Sequence, residues 1–210
     1  MYLSNKFVLI YRIIFAAICW FSIILSAIVG SVTAGNPLIW VISYRYYTMQ
    51  TNLMVALWFI FAIIGYKKPK YIKKISGPIK GAITLYITTT FVFFAILLQF
   101  LYHPTGYAAF NNVMLHYLIP ISFIIDWILT KTNMRYEWKH LRYWIIYPIC
   151  YLVFSLLHGT FTGDYLYLFL DIRRIGILWY LISVCFLIGV GLGLASIYIA
   201  INRKRTKIEN

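Results

Sequence analysis

Three short polar groupings interrupt an otherwise apolar chain, and their residue types are those of hydrolytic chemistry. Thr48, Thr51 and Asn52 stand three and four residues apart, a spacing that puts them on one helix face. Asn112 and His116 repeat the spacing of four, and His158 opens the run His158-Gly159-Thr160-Phe161-Thr162-Gly163-Asp164. A Thr hydroxyl is a weak nucleophile until a base takes its proton, and the imidazole is the side chain best suited to that near neutral pH. An amide such as Asn52 or Asn112 could donate to the oxyanion that forms, a role worth about 3 kcal/mol when preorganised. Inside a bilayer these groups need protein partners or a water-filled cavity, because lipid offers neither.

The elements that must carry these residues are apolar helices. The chain has 210 residues, 62% apolar, 20% aromatic and 11% charged, with a mean hydropathy of +0.80, which excludes an ordinary soluble domain. A span of about 20 helical residues crosses a core of about 30 Å. Six stretches qualify, near residues 8–30, 47–66, 79–102, 111–130, 143–159 and 177–200, the fifth being short and containing Pro148. The fold expected is therefore all-α, a single six-helix transmembrane domain over residues 1–210. The first apolar run is too long for a signal-peptide core and lacks a small-residue cleavage pattern.

The net charge of +14 could suggest nucleic acid, but the cations cluster between apolar runs. Lys6, Arg12, the run from Lys67 to Lys80, then Lys131, Arg135, Lys139 and Arg142, and finally Arg203 to Lys207, make sixteen of the nineteen Lys and Arg residues. All fall on one side of a six-pass topology, against Arg45, Arg173 and Arg174 on the other. The positive-inside rule then places both termini in the cytoplasm, and Thr48, Asn112, His116 and His158 towards the outer leaflet on the second, fourth and fifth helices.

Other polar residues have blander readings. Pro120, four residues after His116, removes the donor to the His116 carbonyl and predicts a kink. Asp126, near the cytoplasmic end of the fourth helix, is expected to pair with an inner-loop Lys or Arg, or else to mark a proton path. Thr88, Thr89 and Thr90 are expected to bond back to their own helix. Gly189 and Gly193 read as a small-residue packing face, not a nucleotide loop. Cys19, Cys150 and Cys185 read as buried packing thiols, and His140 as solvated. No carboxylate or Cys accompanies His103, His116 and His158 at ligand spacing, so no metal and no cofactor is expected. The Lys67 to Lys80 run could meet anionic inner-leaflet lipid, although topology alone explains it.

Tyr47-Thr48-Met49-Gln50-Thr51-Asn52-Leu53, Leu115-His116-Tyr117-Leu118-Ile119-Pro120, and the run from His158 through Asp171 resemble the androgen-induced and androgen-dependent integral membrane proteins. The resemblance is strongest to that family's bacterial six-pass relatives, and it covers most of the chain. It implies a threonine hydrolase that cleaves fatty acyl esters of hydroxy fatty acids in a cell membrane. Thr48 would be the nucleophile and His116 the base, with His158 matching a further family His and Thr51 a rival hydroxyl one turn on. The alternatives are a lipid or small-molecule binding protein or transporter, in which the same groups hold a headgroup, and a scaffold in which they only join helices.

Overall fold

The computed structural model describes residues 6–130 and 134–207. Lys131 and the Lys207 side chain of the basic set lie outside that description. Among the described residues nine α-helices follow one another: α1 Lys6–Ala34, α2 Ile39–Ser43, α3 Tyr47–Ile64, α4 Pro69–Ile75, α5 Pro78–Phe93, α6 Gly106–Val113, α7 Ile119–Leu129, α8 Lys139–Thr162 and α9 Ile172–Lys207. A π-helical turn, Phe94–Leu98, extends α5, and another, Met114–Leu118, joins α6 to α7. Among the described residues there is no strand, and six helices are long and apolar enough to cross a membrane. They correspond to the six expected stretches, so this is an all-α chain of multi-pass membrane type.

The boundaries differ where local chemistry extends or cuts a helix. Pro69 and Pro78 open α4 and α5, where a missing N–H costs nothing. The fifth span is longer than expected: α8 passes through Pro148 and runs to Thr162, where Gly163 at φ 77° ends it and returns its N–H to the Gly159 carbonyl. In α9 the backbone breaks at Gly176, whose φ of 77° and ψ of 163° no helix accommodates. The short helices α2 and α4 fall in stretches read from sequence as loops.

The chain divides into two compact units, residues 1–135 with 205–210, and residues 136–204. The first is a bundle of α1, α3, α5 and α6–α7. Its core places Cys19 and Ile23 of α1, Val55, Trp58 and Phe59 of α3, Ile87 of α5 and Phe123 of α7 together. The Phe123 ring meets Trp58 and Phe59 edge-on at 5.2 and 5.4 Å, the geometry that aromatic quadrupoles favour. The outward faces of these helices carry exposed Phe7, Ile10, Ile14, Phe21 and Ile24 among others, as expected of surfaces meant for lipid.

In the second unit, Tyr136 donates its N–H to Asn202 Oδ1 at 2.7 Å, tying the start of the unit to the end of α9. Two expectations are corrected here. A Cβ at Gly189 or Gly193 would meet nothing within 4 Å, whereas one at Gly191 would touch Ile145 at 3.4 Å, so the close approach belongs to Gly191. Cys150 and Cys185 are exposed on the apolar surfaces of α8 and α9, and only Cys19 is buried. An apolar run that spans lipid has two kinds of apolar surroundings, and sequence alone does not tell them apart.

Candidate active site at the Thr48 end of the first unit

Tyr46 is extended and α3 starts at Tyr47, so Thr48 lies in the first turn of the helix. Its Oγ1 is 3.2 Å from His116 Nε2. The other ring nitrogen, His116 Nδ1, is 3.1 Å from the Asn112 carbonyl, which only accepts, so Nδ1 carries the proton in the neutral ring. Nε2 is then the free lone pair, and the Thr48 O–H donates to it. The ring is held flat by Phe94, stacked at 3.9 Å between centroids and 20° between planes. This is a hydroxyl, a correctly tautomerised base and an orienting partner in sequence, from residues 68 and 4 positions apart.

The π turn explains how His116 reaches that position, and it changes one expectation. Pro120 has no N–H, and the Ile119 N–H is committed to the Met114 carbonyl five residues back. Both residues that could serve the Leu115 carbonyl within the helix are therefore ruled out. Asn52 supplies the donor instead: its Nδ2 gives one proton to Leu115 O at 3.0 Å and the other to Thr48 O at 2.8 Å. The carbonyl that a side chain reaches is thus that of Leu115, one residue before the expected His116. Wide turns of this kind recur at functional sites because they re-aim a side chain without ending the helix.

Asn52 consequently has no proton left for an oxyanion, which corrects one of the two expected donors. Its Oδ1 is buried without a hydrogen-bond partner. Asn112 differs: its carbonyl orients His116, while among the described residues its side-chain amide makes no hydrogen bond and its Oδ1 is buried. Thr51, the rival hydroxyl, is fully buried; it meets Thr90 Oγ1 at 2.8 Å and the Thr48 carbonyl at 3.1 Å, with no imidazole beside it. The geometry therefore separates the two threonines, one facing a base and one joining helices.

The third membrane segment contributes more than sequence suggested. Thr88, Thr89 and Thr90 do bond back to Thr84 and Tyr86 carbonyls as expected. Thr89 also meets Tyr47 Oη at 3.1 Å, and Thr90 meets Thr51, so the triplet stitches α5 to α3 as well. Tyr117, beside His116, donates to Gln99 Oε1 at 2.5 Å and packs edge-on against Phe91 and Phe94. Gln99 carried a signal that was missed, as a lone amide at the end of an apolar run. In the segment leading to α3, the Tyr44 carbonyl accepts from Gln50, and burial pushes the Tyr44 phenol up.

The opposite end of the same unit holds the buried charges. Asp126 takes Arg12 Nε on Oδ1 at 2.9 Å and Arg12 Nη2 on Oδ2 at 3.2 Å, and it pairs with Lys80 on Oδ2. Lys80 Nζ also donates to the Asp126 carbonyl at 3.0 Å and to Thr130 Oγ1 at 2.6 Å. All three charged side chains are 1% exposed, and both cations lie over the Trp58 ring. Asp126 thus pairs as expected, with cations drawn from the topology signal into the bundle. Arg205 of the chain's end donates to the Trp127 and Ile128 carbonyls, closing α7.

His158 belongs to the second unit, where it folds a local loop. Its Nδ1 donates to the Asp164 carbonyl at 2.9 Å, and Thr162 donates to the His158 carbonyl at 2.7 Å. A Cβ at Gly159 would lie 2.2 Å from the Tyr165 ring, so this glycine is the seat of that tyrosine, and Arg173 covers the same ring at 4.9 Å. His140, read as solvated, accepts the Glu137 N–H at 2.8 Å and stacks with Trp144, reaching back to cap the start of α8. Lys139 beside Glu137 holds that carboxyl below its usual range. Among the described residues no three His, Cys, Asp or Glu side chains gather as a metal site.

Comparison of the chain with protein-family models, with curated proteins and with solved structures finds no match.

Proposed function

We propose that the first unit hydrolyses fatty acyl esters presented from lipid, with Thr48 as nucleophile and His116 as general base. The observation that carries this reading is the 3.2 Å contact between Thr48 Oγ1 and a His116 Nε2 whose opposite nitrogen is tied to a carbonyl. The resemblance to the androgen-induced membrane proteins names the same two residues. With the cationic loops on the cytoplasmic side, the pair lies towards the outer leaflet of a cell membrane, where an acyl chain enters from lipid and water from outside.

The geometry supports the following steps. The Thr48 proton passes to His116 Nε2 as Oγ1 adds to the ester carbonyl carbon. The Asn112 side-chain N–H, for which no bond is described, is the donor this reading assigns to the oxyanion. Collapse of the tetrahedral adduct breaks the ester C–O bond, and the departing alkoxide takes the proton from Nε2. Water, activated by the same nitrogen, then releases the acid from acyl-Thr48 and restores the hydroxyl.

The test is turnover of a long-chain acyl ester of a hydroxy fatty acid by full-length protein in nanodiscs. Thr48→Ala and His116→Ala are expected to lose at least about a hundredfold in rate. Thr51→Val is expected to keep most of its activity, and loss confined to Thr51→Val would overturn the assignment. A second reading, headgroup binding without turnover, is favoured by the unpartnered acceptors Asn52 Oδ1 and Asn112 Oδ1. It predicts saturable ester binding by the wild type with no product.

A further inference from the structure

Helix α4 and the turn before it hold Lys67, Lys68, Lys70, Lys73 and Lys74, five exposed cations within eight residues. Among the described residues none of the five ammonium groups has a hydrogen-bonding or ionic partner, although such pairs form readily elsewhere, as between Lys139 and Glu137 at 2.8 Å. The reason is in the sequence: within residues 1–135 the only acidic residue is Asp126, and it is buried between Arg12 and Lys80. Among the described residues, then, the exposed surface of the first unit carries no carboxylate. Glu209, the unit's other acidic residue, lies outside the described residues, and no described carboxylate of the unit meets this cationic patch.

The patch is also held in place. Ile72 is buried, the Trp58 indole donates to the Ile75 carbonyl at 3.0 Å, and the Tyr71 ring fills the space a Cβ on Gly65 would need, 2.4 Å away. Trp58 lies beside Arg12 and Lys80, so α4 sits at the Arg12 end of the bundle, where α3 and α5 leave the apolar region. Fixed lysines at the rim of a membrane bundle face phospholipid phosphates at that depth, with Tyr71 an aromatic anchor of the kind found there. We infer that α4 is a binding site for anionic phospholipid headgroups, formed by Lys67, Lys68, Lys70, Lys73 and Lys74 around a helix fixed by Ile72 and Tyr71.

Full-length protein in nanodiscs of mixed phosphatidylcholine and phosphatidylglycerol, released and weighed by native mass spectrometry, reads the lipids retained. Wild type is expected to retain phosphatidylglycerol in preference by about tenfold, weakening as salt is raised. Replacing the five lysines by Gln should bring the preference to within about twofold of none. These side chains are exposed and bond no described residue, so the fold is expected to survive, which circular dichroism checks. Lys139→Gln, whose cation is already paired, should leave the preference unchanged. A wild type without preference, or a folded five-fold variant that keeps it, overturns the proposal. So does glycerol phosphate or inorganic phosphate displacing the lipid at matched concentration, which would assign the lysines to free anions.

Discussion

At the Arg12 end of the first unit the three protons of the Lys80 ammonium meet three oxygens, and both Asp126 carboxylate oxygens are occupied. At the Thr48 end, Asn52, Asn111 and Asn112 each bury a side-chain oxygen with no partner, and one hydroxyl faces a base. The same helices run through both ends. A cluster that saturates its own donors and acceptors has nothing left for a ligand, and its task is to join α1, α5 and α7. A cluster that leaves capacity unspent in a dry environment costs stability, and natural folds keep that cost mainly where something binds or reacts. The contrast separates Asp126, a charged residue deep in a span, from Thr48 and His116, and assigns it a structural task.

Substitutions should divide the same way. The largest expected loss of stability is for Asp126→Asn, which leaves Arg12 and Lys80 buried together without a counter-charge. Removing one partner of a buried pair costs about 3–5 kcal/mol, read from thermal unfolding in detergent. Asn52→Leu comes next, because it strands the Leu115 carbonyl beside a proline that cannot serve it. The cost is about 1–3 kcal/mol, with disturbed amide signals at the π turn in NMR spectra. Thr51→Val removes the link to Thr90 and should cost about 1 kcal/mol with activity retained. Thr48→Ala should change stability by less than about 0.5 kcal/mol while abolishing turnover. A Thr48→Ala variant as unstable as Asp126→Asn would erase the distinction between the two ends.

Much of this was legible in the sequence, for reasons that differ by residue. Apolar length alone marked six spans, because a bilayer admits few alternatives to a helix of about 20 residues. Thr48, Asn52, Asn112 and His116 stood out as polar groups at helical spacing, and the ion pair of Asp126 followed from the cost of an unpaired charge. What stayed hidden was register. The π turn commits the Ile119 N–H to Met114 and leaves the Leu115 carbonyl to Asn52, and no residue in that stretch announces this except Pro120, which cannot serve that carbonyl. Asn52 therefore looked like an oxyanion donor until both of its protons were found in use. Helix α4 was hidden by its lysines, which read as a topology signal and obscured the Ile72 and Tyr71 that hold the helix down.

The most direct test of the active-site assignment is labelling of the folded protein in nanodiscs by a fluorophosphonate, with the modified residue located by peptide mass spectrometry. An adduct on Thr48 Oγ1 is expected, one that disappears in Thr48→Ala and His116→Ala and persists in Thr51→Val. An adduct on Thr51, or a well-folded wild type that takes no label at any threonine, would contradict it.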